Sequence, residues 1–256
     1  MNLNSFMPVK LITGAGCVRA NGKELAKLGK VCLIVTGKTA AKASGAFRDV
    51  TDTLDGNGQQ WLLFDEIGQN PKLTDCMAAA EKAIAAGADF ILGIGGGSPL
   101  DAAKCIAVLA ANPGLTQAQL YAFDWANAPL KIVAVGTTAG TGSEVTKVSV
   151  ITTPDGRKKS FHNEAIFPAL AFGDPRYTLS LPPMVTRAQR WMYWPIARKA
   201  SSAALPIIFP AVMRWRAFAC CCRCSARWRK RAGRTWTMIP GRCCIALRFM
   251  EVWPSM

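Results

Sequence analysis

Residues 1–186 predict an α/β domain on a doubly wound, mostly parallel sheet, and three observations carry that prediction. β-branched apolar runs alternate with stretches of helical length, the joints between them are short, and the joints carry glycine. Strand, helix, strand, helix with short connections implies parallel strands covered on both faces.

VCLIVTG (31–37) is an unbroken apolar run that ends at a glycine, the pattern of a strand buried on both faces. Helical character extends from Lys38 to about Leu54, DGNG makes a turn, and QQWLLFD (59–65) reads as a second strand. KLTDCMAAAEKAIAAG (72–87) is an amphipathic helix with a glycine stop. DFILGI (89–94) is a third strand running into GGGSPLDAAKCIAVLAAN, a Gly-rich turn and a helix that starts at Ser98 or Pro99. KIVAVGT (131–137) is a fourth, running into TAGTGSE. From Glu144 to Asp174 the runs VTKVSVITT, KSFHN and ALAFGD surround a PDGR turn and predict a small antiparallel extension.

Charge divides the chain. Of 31 Lys+Arg and 16 Asp+Glu, residues 187–256 hold 14 cations and a single acid, Glu251, leaving 17 against 15 in residues 1–186. The same tail holds six of the eight Trp and six of the ten Cys, but two of the 22 Gly. Of the net charge of +15, +13 therefore belongs to the tail, and residues 1–186, at +2, carry no signature of a nucleic-acid or anionic-membrane partner. No secretory leader and no membrane span is evident, so the cytoplasm is the expected compartment. Cys17, Cys32, Cys76 and Cys105 lie among apolar neighbours and read as reduced core thiols.

The chemistry concentrates in two turns. In GGGSPLDAAK (95–104) three glycines let backbone approach a pyrophosphate, and the following helix aims free N–H groups and its positive dipole end at the anion. Pro99 suits the first helical turn, Asp101 favours the same end electrostatically, and Lys104, three residues on, can pair with it. TTAGTGSE (137–144) also follows a buried strand and offers hydroxyl and amide donors to phosphate or ribose. Both turns lie at the carboxyl ends of strands, where such sheets bind ligands. His162, the one histidine, reads as a surface or strand-end residue.

GGGSPLDAAK and TTAGTGSEVT, with ITGAG near the start, Asn70-Pro71 and DPRYTLSLPPMVT, resemble the iron-containing (group III) alcohol dehydrogenase family. The resemblance covers essentially all of residues 1–186. It implies a Rossmann-like nucleotide-binding domain, NAD or NADP as cofactor, and a bound iron or zinc ion. It also implies a short-chain alcohol with its aldehyde or ketone as substrates, and leaves homo-oligomerisation open. By the same resemblance, Gly96, Gly97 and Ser98 meet the pyrophosphate, Asp101 lies beside the cofactor, and Thr137, Thr138 and Thr141 line the adenosine side. Asn70 and Lys159 carry over as further cofactor contacts. Many relatives place an Asp at the end of the strand matching 31–37, where this chain has Gly37 and then Lys38. Losing a carboxylate and gaining a cation would tolerate a 2′-phosphate and so NADP; a plain turn glycine beside a solvated lysine is the other reading.

The family pattern stops after Thr186. Relatives hold their metal through one Asp and three His in a C-terminal all-helical domain that opens on T-x-x-D-x-x-x-H. Here RAQRWMYWPIARKA follows, and no Asp or His occurs after Thr186, so neither a catalytic residue nor a metal ligand is assigned. Back-translated from the last base of the Gln189 codon, the triplets permit D-V-L-A-H with a Glu three residues further on. The tail is thus expected to be an out-of-frame reading of the helical domain, and the chain to lack dehydrogenase activity. Two alternatives stay open. One is a non-catalytic NAD(P)-binding fragment. The other is a nucleic-acid-binding tail, with Trp191, Trp194, Trp215, Trp228 and Trp236 stacking among arginines and RWRKRAGR (227–234) tracking phosphates. Against the second, a GC-rich gene read out of frame gives the same composition, and the adjacent Cys220, Cys221 and Cys222 cannot wrap a tetrahedral metal site.

Overall fold

The unbroken apolar runs become the centre of a six-stranded sheet in the computed structural model, which describes residues 6–182, 184–186, 226–230 and 236–240. From β1 (Lys10–Thr13) the chain enters two short helices, α1 (Cys17–Ala20) and α2 (Gly22–Ala26), then β2 (Val31–Thr36). Helices α3 (Ala40–Ala43) and α4 (Ala46–Gly56) lead to β3 (Gln60–Phe64), and α5 (Leu73–Ala85) leads to β4 (Phe90–Gly95). Helices α6 (Gly97–Ala111) and α7 (Gln117–Ala122) precede β5 (Lys131–Gly136), the hairpin β6 (Val148–Thr152) and β7 (Lys158–His162), and β8 (Leu170–Gly173). The sheet order is β1-β8-β5-β4-β2-β3, and every neighbouring pair is parallel.

Side-chain alternation along these strands feeds two cores. Leu33 and Val35 of β2 and Ile91 of β4 pack with α5 and α6; Cys32, Ile34, Phe90, Leu92 and Ile94 pack with α1, α2 and α4 on the other face. Burying one such Leu or Ile stabilises the fold by about 1.5–3 kcal/mol relative to leaving it exposed. That burial, rather than helix propensity, holds four-residue pieces such as α1 and α3, which are too short to nucleate alone.

Three local features differ from the sequence expectation. The helix expected over 38–54 is broken into α3 and α4 by Gly45, whose φ of 81° ends one helix and starts the next. The helix expected from Ser98 or Pro99 begins at Gly97, with Gly96 as its N-cap. ALAFGD does not join the antiparallel extension: β8 is buried along its whole length and enters the main sheet parallel to β1 and β5. Its continuous apolar run LAFG, unlike the alternating VSVIT of β6, is the signature of a two-face-buried strand. Strand β1 and helices α1, α2 and α7 add to the elements that the sequence pattern predicts. The four cysteines of this unit are free and buried, as their apolar neighbours imply.

Contacts divide the chain into Met1–Ile196 and Ala197–Met256. In the second unit, β9 (Ala226–Lys230) and β10 (Trp236–Pro240) pair antiparallel, with Trp236 opposite Lys230. The segment expected to carry the metal-binding helix, Trp191, Trp194, Trp215 and the six tail cysteines all lie outside the described residues.

Candidate functional site

Adjacent strands β2 and β4 send their chains to opposite faces of the sheet. The helices after β2, α3 and α4, pack into one core, and the helix after β4, α6, packs into the other. Diverging connections leave a crevice at the carboxyl ends of the two strands, the place where doubly wound sheets take their ligands. Gly37 follows β2 at this edge, Gly95-Gly96-Gly97 closes β4, and Gly136-Thr137 closes β5.

The two Gly-rich turns form one object. Thr137 N donates to Gly95 O at 2.9 Å. A Cβ at Gly96 would lie 2.9 Å from Thr138 Oγ1, and one at Gly97 would lie 2.9 Å from Thr141 Cγ2, so the hydroxyl turn rests on the glycine backbone. Gly95 has φ +152°, and a Cβ there would meet the Pro99 ring at 2.7 Å. No side chain caps α6. Its first amides and the positive end of a 15-residue helix thus face the crevice edge. Thr137 is buried, and its Oγ1 has no hydrogen-bond partner among the described residues. A buried hydroxyl without a protein partner beside an uncapped helix start is free to bond a water or a ligand atom.

Behind this edge lies a polar cluster that is only partly legible in the sequence. Lys104 is fully buried, and its Nζ donates to Val148 O at 2.7 Å and to Ser143 Oγ at 3.0 Å, with Asp101 Oδ1 at 3.8 Å. Ser143 Oγ in turn donates to Asp101 Oδ1, and Val150 N donates to Asp101 Oδ2 at 3.1 Å. Burial pushes Lys104 down to about 8, opposed by the charges of Asp101 and Glu144. Burial raises Asp101, opposed by Lys104 and by the bonds from Ser143 and Val150. The expected Asp101–Lys104 pairing is present. The parts played by Ser143 and by β6 are invisible to local pattern, because both depend on contacts more than 38 residues away in sequence.

The remaining residues predicted from the sequence are each held by local contacts. Ser98 is half-buried in the first turn of α6. A Cβ at Gly37 would approach Ile67 O to 3.1 Å, and Lys38 beside it is exposed. Asn70 adopts a left-handed conformation with φ 57°, and its carbonyl accepts a bond from Thr152 Oγ1 at 3.3 Å, linking it to the end of β6. Lys159 lies opposite Ile151 in the hairpin, with its ammonium 5.5 Å over the Tyr121 ring. His162 ends β7, exposed against Phe123, as a strand-end residue. Among the described residues no three His, Cys, Asp or Glu side chains converge as a metal site would require. The donor set for iron or zinc is therefore not offered by them.

Comparison with known proteins follows the same lines. The model of the iron-containing alcohol dehydrogenase family matches residues 8–175. A sulfoacetaldehyde reductase of Bilophila wadsworthia is 34% identical over 179 residues, 69% of this chain and 46% of that protein. Lactaldehyde reductase of Escherichia coli is 35% identical over 182 residues, 68% of this chain and 47% of the enzyme. Among solved structures, an iron-containing alcohol dehydrogenase of Thermotoga maritima superposes with a TM-score of 0.70 at 37% identity, covering 74% of this chain and 52% of that one. The chain thus spans about half the length of the curated relatives it matches.

Proposed function

Because this chain belongs to the iron-containing alcohol dehydrogenase family, we propose that residues 1–186 are the NAD(P)-binding part of an oxidoreductase interconverting a short-chain alcohol and its aldehyde or ketone. The joined cradle supports this reading best: Gly96 and Gly97 packed under Thr138 and Thr141, beside the orphaned hydroxyl of Thr137. The first amides of α6 would take the pyrophosphate, Ser98 would donate to it, and Thr137 Oγ1 would find its missing partner on the dinucleotide. Thr138 and Thr141 would border the adenosine side, with Asn70 and Lys159 as further contacts. A bound nicotinamide supplies hydride acceptance or donation.

At Gly37 there is no carboxylate to hold a 2′-hydroxyl. Lys42 is engaged by Asp65 at 2.8 Å, and Lys38 is exposed beside it. Lys38 is therefore the residue that would meet a 2′-phosphate, and NADP is accommodated as readily as NAD.

A catalytic iron or zinc ion does not fit this chain. The described residues offer no ligand set, and no Asp or His follows Thr186. Residues 187–256 are read as an out-of-frame version of the family's helical domain, and the 256-residue protein as inactive in alcohol oxidation. Sequencing the gene across the codons for Val185 to Gln189, with an intact mass of the product, tests this: a single-base difference restoring the D-V-L-A-H frame is expected. Alcohol-dependent NAD(P) reduction by homogeneous, mass-verified protein would overturn it. The second reading, a non-catalytic NAD(P)-binding protein, is favoured by the intact cradle and gains support if that mass confirms the tail. The cytoplasm is the proposed location.

A further inference from the structure

Asp101 and Lys104, one turn apart on α6, direct their polar atoms at protein. Lys104 Nζ bonds Val148 O and Ser143 Oγ, while the Asp101 carboxylate takes bonds from Ser143 Oγ and Val150 N. Ser149 Oγ donates to the Asp101 carbonyl at 2.8 Å, and Ser149 is fully buried. One turn of the helix that follows the glycine turn is thereby tied to the last residues of TTAGTGSE and to β6 at once. A fully buried ammonium is a costly way to join two elements that Met could join by packing alone. What the charged version adds is direction. The bonds fix the height of the threonine turn over the glycine turn, where a Cβ would find less than 3.0 Å of space.

Resting on the dinucleotide-binding reading above, we propose that Asp101, Lys104 and Ser143 form a positioning clamp. It sets the spacing of the two ligand-facing turns and transmits their occupancy to the β6–β7 hairpin. These residues need not touch the dinucleotide; they act through the turns they hold. Burial pulls Lys104 down to about 8 and the charges of Asp101 and Glu144 oppose it, so the ammonium is mostly protonated at pH 7 and its N–H donors are available. Asp101 on its own helix and Glu144, next to Ser143, are the charged groups that face it; Thr146, Val148 and Ser143 present neutral oxygens.

The test uses the full chain, titrated with NADH and NADPH by fluorescence and followed by amide hydrogen exchange. Bound dinucleotide is expected to slow exchange across Val148–Thr152 in the unaltered protein. Lys104→Met should abolish that protection and weaken dinucleotide binding by about tenfold. Leu109→Ala, in the α6 core, is a control for stability loss alone; it should keep the protection, with affinity within about threefold of the parent. Should Lys104→Met fail to fold, Ser143→Ala removes one hydroxyl and is expected to shift both readouts the same way by a smaller amount. Hairpin protection that persists in Lys104→Met, or an affinity loss no larger than the control's, overturns the clamp. Absence of saturable binding by the unaltered protein overturns the dinucleotide reading, and the clamp falls with it; binding without the hairpin pattern overturns the clamp alone.

Discussion

Adding one methyl group at Gly96 asks whether the two Gly-rich turns are truly in contact. Gly96 has φ −86° and ψ −158°, an extended conformation open to alanine, so Gly96→Ala carries no backbone penalty of its own. The new Cβ would lie 2.9 Å from Thr138 Oγ1 and 3.1 Å from its Cγ2. Optimal carbon contacts lie at about 3.5–4.0 Å, so one turn must lift by roughly half an ångström or more. Overpacking of this kind costs about 1–3 kcal/mol. For a chain of this size each kcal/mol lowers Tm by about 2–4 °C. Thr138→Ala removes both offending atoms and leaves the Thr138 Cβ at 3.6 Å, an ordinary contact. Urea and thermal unfolding of the four proteins, followed by circular dichroism, close a double-mutant cycle. Gly96→Ala/Thr138→Ala should be more stable than the sum of the single losses by about 1 kcal/mol. A silent Gly96→Ala, or losses additive within about 0.5 kcal/mol, would show that the turns do not rest on each other.

Three further perturbations bear on the same edge of the sheet. Lys104→Met leaves Ser143 Oγ and Val148 O without the ammonium donor and the Asp101 carboxylate without its neighbouring cation, and should cost about 3–5 kcal/mol by urea unfolding. In the native state Lys104 titrates at about 8 instead of the usual 10.5, so the unfolded chain binds more protons between those values. Its contribution to stability therefore rises with pH from about 8 upward, until Cys17, raised to about 11, opposes it above pH 9. Urea midpoints at pH 7.5 and 9 should show that rise in the parent and not in Lys104→Met. Asp174→Ala unpairs Gly16 N at 2.7 Å and Arg176 Nη2 at 2.6 Å from a fully buried carboxylate, and should lower stability by about 1–3 kcal/mol; an unchanged unfolding midpoint would deny that latch a role. Gly37→Asp is expected to favour NADH over NADPH by about tenfold relative to the parent in paired titrations; an unchanged ratio would remove Gly37 from the ribose corner.

Much of this edge is legible in the sequence because it rests on short-range pattern. Runs such as VCLIVTG and DFILGI announce buried parallel strands, and a glycine turn entering a helix becomes a candidate anion site once a second turn of glycines and hydroxyls follows a neighbouring strand. What stays hidden needs partners distant in sequence. Strand β1 is four residues long and half-exposed, so only its pairing with β8, some 160 residues on, makes it a strand. The polar atoms of Lys104 can be paired with Asp101 by spacing, yet nothing local shows that Ser143 and Val148 complete the set. Thr137 stands out by its motif, and only packing reveals that its hydroxyl is buried without a partner. For Lys159 the family resemblance points to cofactor while the folded hairpin sets its ammonium over Tyr121.

The paired turns as a dinucleotide cradle are tested most directly by fluorescence titration of the mass-verified 256-residue protein with NADH and NADPH, beside Gly96→Ala. Saturable binding of one equivalent is expected, weakened in Gly96→Ala by about tenfold. No saturation of either nucleotide up to about 1 mM by folded protein, or equal affinity in the variant, would contradict the cradle.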